Sequence, residues 1–201
     1  MHKTTLILNA PPEAGKDTLA DLLLKDLLAS KLSAQKIAFK DDLYKAMADF
    51  YKLSLAYTIF ICTDRVYKDT MRSTFSEDIG LTPRQGIIHV SEDIYKPKFG
   101  KDYFGVCAAK ALKEGVNIFS DGGGWYEELI PVIKASGKLI ICRMHREGYD
   151  FSKDSRSYYV TEGLPAEYKN KVVFFDLYLE DGKQEEAVNE LKKVLFREGL
   201  I

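Results

Sequence analysis

The chain has 201 residues, 46% of them hydrophobic and 29% charged, enough for one domain that buries its own core without staples. Lysine and arginine number 29 against 30 aspartates and glutamates, a balance that excludes the basic face of a duplex nucleic-acid binder. Three cysteines (Cys62, Cys107, Cys142) and three histidines (His2, His89, His145) show no zinc spacing. The apolar part of the N-terminal MHKTTLILNA is too short for a signal segment or a membrane span, so the expectation is a cytoplasmic protein with reduced thiols and no membrane partner.

Thr4–Asn9 (TTLILN) is the first of five runs that read as buried strands, being nearly continuous in apolar or β-favouring residues. It leads into Ala10-Pro11-Pro12-Glu13-Ala14-Gly15-Lys16-Asp17-Thr18. Asp17–Leu32 continues as a helix with Leu19, Leu22, Leu23, Leu27 and Leu28 on one stripe. A strand, a small-residue loop ending in Gly-Lys and a helix are the context that a phosphate-binding loop requires. The backbone of Ala14, Gly15, Lys16, Asp17 and Thr18 is then the candidate anion cradle, with Gly15 admitting the phosphate and Lys16 supplying a mobile charge. Ala10 stands where the usual motif has its first glycine, and Asp17 where it has Ser or Thr, so Asp17 and Thr18 share the metal-side candidacy. Glu13 is expected to point away from the ligand. The competing reading of the segment is an ordinary helix start capped near Asp17.

The second strand, Gln35–Phe39, ends at Lys40-Asp41-Asp42 and opens a helix over Asp41–Leu53. Ligands of open α/β sheets bind beyond the carboxyl ends of the strands, which makes Asp42 a candidate substrate contact. Both aspartates serve equally well as helix caps. Residues 41–115 form a long excursion of the kind that carries a substrate-binding flap. Within it, 55–81 shows no readable pattern, while Thr82–Tyr95 and Lys101–Lys113 read as helices. Arg84 and Gln85 follow Pro83 and present a guanidinium and an amide suited to an acceptor phosphate or a base edge.

The third strand, Val116–Ser120, ends in Asp121-Gly122-Gly123-Gly124-Trp125. An Asp closing an apolar strand beside a phosphate loop suits Mg²⁺, and Asp121 is a metal and substrate candidate. Its alternative role is a cap for the helix Tyr126–Ala135. The fourth strand, Lys138–Arg143, precedes a second excursion, 144–171, read as a lid. The fifth strand is Val172–Leu179, and a helix over Gln184–Phe196 follows. Arginine is scarce, and Arg65, Arg72, Arg84, Arg146 and Arg156 all fall in the two excursions, with Arg143 ending the fourth strand. Planar, permanently charged forks suit a transferring phosphoryl group, so Arg143, Arg146 and Arg156 join Lys16 as catalytic candidates. Singly, each also fits a surface ion pair.

The strand, APPEAGKDT and the helix beginning there resemble the phosphate loop of nucleoside monophosphate kinases. With Ala20-Asp21 after GKDT, the form is similar to the deoxynucleoside monophosphate kinases of bacteriophages. IAFKDDLYKAM, TPRQGIIHVSE, FGKDYFGVCAAKAL, FSDGGGWYEELIPVIKASGKLIICRMHREG, KDSRSYYVTEGLP and LEDGKQEEAVNELKKVL extend the resemblance along most of the chain. It implies an ATP- and Mg²⁺-dependent kinase in which Lys16 meets the ATP phosphates, Arg84 serves the acceptor side, and Arg143, Arg146 and Arg156 lie at or in the lid. Ala10, and Gly122-Gly123 where some relatives carry an arginine nearby, depart from that pattern.

The expected architecture is a single α/β domain over residues 1–201, a three-layer fold of the P-loop NTPase type with a five-stranded, mostly parallel sheet. The expected reaction moves the γ-phosphoryl group of ATP to a deoxynucleoside monophosphate. A kinase of another small metabolite and a nucleotide-binding module without turnover remain alternatives. The accepted base, the sugar and a homodimeric state are left open by the sequence.

Overall fold

Strand β1 (Lys3–Asn9) is buried on both faces from Thr4 onward, which is why its sequence is continuously apolar or β-branched instead of alternating. In the computed structural model, which describes residues 3–64, 66–70, 80–152, 154 and 156–201, β1 lies at the centre of a five-stranded sheet. The order is β2-β3-β1-β4-β5, with β2 at Ala34–Ile37, β3 at Gly115–Gly122, β4 at Lys138–His145 and β5 at Val172–Tyr178. Every pairing is parallel, so the sheet is wholly rather than mostly parallel. Arg65, Arg72, His2 and Ser155 fall outside the described residues.

Alternate side chains serve two layers. On one face Leu6, Leu8, Ile140 and Cys142 pack against Leu19, Leu23 and Leu27 of α1 (Lys16–Ala29) and Leu191 and Leu195 of α9 (Gln184–Arg197). On the other, Ile7, Phe119 and Ile141 meet Leu129 and Ile133 of α8 (Tyr126–Ala135). This is the three-layer α/β arrangement of the P-loop NTPase type. Among the described residues, no helix is long and apolar enough to cross a membrane.

The first excursion is a helical layer: α2 (Lys40–Tyr51), α3 (Leu55–Thr63), α4 (Tyr67–Thr70), α5 (Pro83–His89), a π-helical stretch (Val90–Tyr95), α6 (Lys96–Phe99) and α7 (Tyr103–Lys110). It has a small core of its own, built on Ala46, Met47, Ile61, Val90 and Phe104. The sequence of α3, LAYTIFICT, is apolar almost all round and therefore offers no periodicity to read. The helix expected over Thr82–Tyr95 changes register at Val90 instead of continuing as α-helix. Pro97 explains this: it has no N–H to give and its ring crowds the carbonyl one turn earlier, so the preceding turn widens. At Gly105 a Cβ would lie 2.2 Å from the Glu128 carbonyl oxygen, so only glycine lets α7 lie this close to α8.

Much of the segment expected as a lid is fastened to the core. Asn9 Oδ1 accepts from Tyr159 N at 2.8 Å, and Asn9 Nδ2 donates to Ser157 O and Gly122 O, each at 3.2 Å. Tyr126 OH donates to Val160 O at 3.0 Å and accepts from Val160 N at 2.8 Å. Residues 156–160 thus cross the carboxyl ends of β1 and β3. The turn at Gly148, where a Cβ would meet open space, is closed by the bridge between Arg146 and Tyr149.

Candidate active site

The strand order reverses direction on either side of β1, and the crevice beyond its carboxyl end is where an open α/β sheet binds ligands. The loop Ala10–Gly15 leaves β1 here. Gly15 takes a left-handed conformation (φ 95°) that other residues rarely adopt, and it turns the chain into α1 with Lys16 as its first residue. Glu13 is exposed, as expected of a carboxylate beside an anion site.

Lys16 is buried, and its ammonium donates to Ala10 O at 2.8 Å and Pro11 O at 2.6 Å. Burial, reinforced by the positive charge of Arg156, pushes its pKa down to about 8. Asp17 accepts a hydrogen bond from Ser120 Oγ at 2.7 Å and pairs with Lys36 at 3.2 Å, yet its side chain is 76% exposed. Thr18 is exposed on the same turn. A Cβ at Gly15 would lie 3.8 Å from Arg146 Nη1, which puts that guanidinium beside the loop. Arg146 bonds Asp181 at 2.6 Å and stacks at 4.7 Å from the Tyr149 ring centroid.

A cleft of about 330 Å³ opens between the strand ends and the helical layer, and Pro12 of the loop is on its rim. Lys40, Arg84, Asp121 and Arg156 line it. Arg156 is held by Asp154 through two bonds of 2.7 Å, and this pairing draws the Asp154 carboxyl down to about 2. Arg84 pairs with Asp69. Lys40 is open to solvent but surrounded by protein, and burial with the charges of Arg156 and Arg84 lowers its pKa against the opposing pull of Asp121. Arg156 thus weighs on both lysines, Lys16 and Lys40, an arrangement that an arriving phosphate relieves.

Several sequence candidates sit elsewhere or play another part. Asp121 accepts from Phe39 N at 3.0 Å and Lys40 N at 3.1 Å, so it caps the start of α2 and not α8, from inside the cleft. Burial raises its carboxyl above the usual range, opposed by those N–H groups and by Lys40. Asp42 bonds Lys45 one turn on and does not line the cleft. Gln85 is the return arm of a capping box with Thr82, its side chain accepting from Thr82 N at 2.9 Å, and it too lies off the cleft. Arg143 is bonded through Nε and Nη2 to Asp176 on the edge strand and lies over Phe174. It belongs to neither the loop nor the cleft. Of the four catalytic candidates, the structure sets Arg156 near Lys16 and Arg146 beside Gly15, and leaves Arg143 out.

Lys40 and Asn9 were missed by the sequence reading. Lys40 is adjacent to the aspartates that were chosen, and its phase on α2 brings it to the cleft with Tyr44 while Asp42 lies off it. Asn9 carried a legible signal, a polar side chain closing an otherwise apolar strand just before the loop. Comparison with known protein families and with curated proteins finds no match for the chain.

Proposed function

We propose that the protein is a phosphotransferase that moves the γ-phosphoryl group of ATP to a deoxynucleoside monophosphate. One observation carries the reading: two sets of cations, Lys16 with Arg146 on the loop side and Lys40, Arg84 and Arg156 in the cleft, meet end to end. Two phosphate-bearing ligands are accommodated by such a pair of sites, and a single bound nucleotide needs only the first.

In the proposed reaction the loop N–H groups and the α1 N-terminus hold the ATP phosphates. Lys16 exchanges the carbonyls of Ala10 and Pro11 for phosphate oxygens, which hold it in the charged form. Lys40, Arg84 and Arg156 fix the acceptor phosphate, and Arg156 stands close enough to Lys16 to neutralise charge on the group in flight. No covalent enzyme intermediate is required. The residues also suit Mg²⁺, which takes one or two carboxylates and leaves its other positions to water and phosphate. Asp17, with exposed oxygens beside the Ser120 hydroxyl, would hold it together with Thr18, and Asp121 through water. When bound, the ion neutralises charge on the β and γ phosphates.

A coupled assay of ADP formation across nucleoside monophosphates tests the proposal. Acceptor-dependent ADP formation is expected. Saturable ATP binding with no turnover on any acceptor makes the protein a nucleotide-binding module instead, and turnover only on a non-nucleotide makes it a kinase of another metabolite.

A further inference from the structure

The cleft changes sign along its length. Its loop end is cationic. At the far end one ammonium sits between two carboxylates: Lys96 Nζ lies 2.7 Å from Glu92 and 3.3 Å from Glu128. The Lys96 and Glu128 side chains are only 11% and 15% exposed, so this pair is built into the wall, with the more exposed Glu92 at its rim. The π-helical stretch places Ser91 and Glu92 there, and Ser91 Oγ donates to Glu92.

Between the two ends stands an aromatic platform. A Cβ on Gly123 would lie 3.0 Å from Arg156 Cδ and 3.1 Å from the Trp125 indole, so the arginine stem and the indole flank a single residue. Lys96 Nζ in turn lies 5.7 Å from the Trp125 ring centroid. Trp125 is 41% exposed, whereas among the other aromatics of the cleft Phe39, Phe104 and Tyr159 are buried and Tyr44 is half-buried. Along one wall the order is therefore a phosphate ligand, a stacking surface and a hydrogen-bonding edge.

We infer that this edge reads guanine, so that the acceptor is a guanine nucleoside monophosphate; the inference rests on the kinase reading above. Guanine presents a carbonyl oxygen, a ring N–H and an amino N–H in a row. Lys96 donates to the carbonyl, and the Glu128 carboxylate accepts the two parallel N–H groups, as it does from an arginine fork. Glu128 holds Lys96 only at 3.3 Å and retains acceptor capacity for them. The purine stacks on Trp125. Adenine and cytosine reverse the pattern, setting a ring lone pair where a carboxylate waits. Thymine has a single ring N–H and no neighbouring amino group. Burial raises the Glu128 carboxyl above its usual range against the pull of Lys96, as befits an acceptor short of donors.

Steady-state kinetics and calorimetric binding with dGMP, dAMP, dCMP, dTMP and dIMP test this, dIMP being dGMP without its amino group. We expect kcat/KM for dGMP to exceed that for dAMP by about 100-fold and that for dIMP by about 10-fold or more. Glu128→Gln, which offers guanine one donor in place of an acceptor, should bring dGMP and dIMP within about 3-fold of each other. The wild-type dGMP-to-dIMP ratio decides the matter even where that variant fails to fold. Preference for dAMP or a pyrimidine nucleotide, or equal use of dGMP and dIMP, overturns the guanine inference and leaves the kinase reading intact. Absence of both binding and transfer with every nucleoside monophosphate overturns the kinase reading itself.

Discussion

The sheet and the helical layer are built on different terms. Around β1 and β4, side chains such as Ile7, Leu8, Ile140 and Ile141 are wholly buried, because helices cover both faces. The helical layer rests on a handful of residues around Met47 and leaves Leu55, Phe60 and Ile88 substantially exposed. The loop Ala10–Gly15 hangs from the first region and much of the cleft wall from the second. A strongly packed scaffold thus fixes the loop, while a lightly packed layer carries Lys40, Arg84 and Lys96. Loss of packing should therefore register as lost stability in the sheet and as lost acceptor binding in the helical layer.

The largest effect should come from the loop. Lys16→Met is expected to lower turnover at least ~100-fold with the melting temperature retained, since it removes a charge contact that strengthens in the transition state. Near-normal turnover in the folded variant would detach the loop from the chemistry. The same lysine has a pH signature. Its folded pKa of about 8 lies below the usual 10.5, so between those values the free folded protein has shed a proton that the unfolded chain keeps, and stability rises with pH across that window. Phosphate binding restores the charge. ATP binding should then take up protons near and above pH 8 and weaken as pH climbs, a calorimetric signal that Lys16→Met abolishes.

Next come the two arginines that the structure separates. Arg156→Ala should reduce kcat by roughly 10²–10³-fold with far less change in ATP affinity. Arg143→Ala should cost about 1 kcal/mol of stability through its lost Asp176 pair, and change turnover by less than about 3-fold. Equal kinetic losses in both variants would return Arg143 to the site.

A pair of core truncations sharpens the contrast directly. Ile141→Ala should cost about 3–4 kcal/mol in chemical denaturation, the usual range for a buried aliphatic. Met47→Ala should cost about 2 kcal/mol and raise the acceptor KM more than the ATP KM, because Lys40 and Tyr44 lie on the same helix. Equal shifts in both KM values would show the two regions behaving as one unit.

A smaller kinetic effect than those of Lys16 and Arg156 is expected from Asp121→Asn. An asparagine keeps one acceptor oxygen but turns an amide N–H toward the backbone donors of Phe39 or Lys40. The acceptor KM should rise about 10-fold, with the Mg²⁺ requirement shifted only slightly if the ion is reached through water. A large shift in the Mg²⁺ titration would make Asp121 a direct ligand.

How much of this was legible in the sequence depended on how local the signal was. The strands could be read because burial on both faces writes a continuous apolar run, and the turn from β1 into α1 because Gly15 and Lys16 stand between a strand and a helix. The start of α8 at Tyr126 was legible for the same kind of reason. Residue type did not reveal rotation: Asp42 and Lys40 are two residues apart on one helix, and only the packing of α2 decides which of them faces the cleft. Arg143 needed the register of β4 against β5, which pairs it with Asp176, and no spacing within one strand conveys that. Gln85 was read as a ligand contact because its reciprocal bond with Thr82 uses the same amide chemistry that a base edge would.

The central position of β1 also governs the order in which the molecule is assembled during translation. Lys3 pairs with Gly115 and Thr4 with Lys138, so both neighbours of the first strand are made more than a hundred residues after it. At ribosomal speeds that is a delay on the order of 10 s. Throughout it the TTLILN segment has two open edges and the loop beside it has no floor. The residues proposed to hold ATP are synthesised more than a hundred residues before the strands that support them, and ribosome-bound chains ending before His145 should neither retain nucleotide nor resist aggregation.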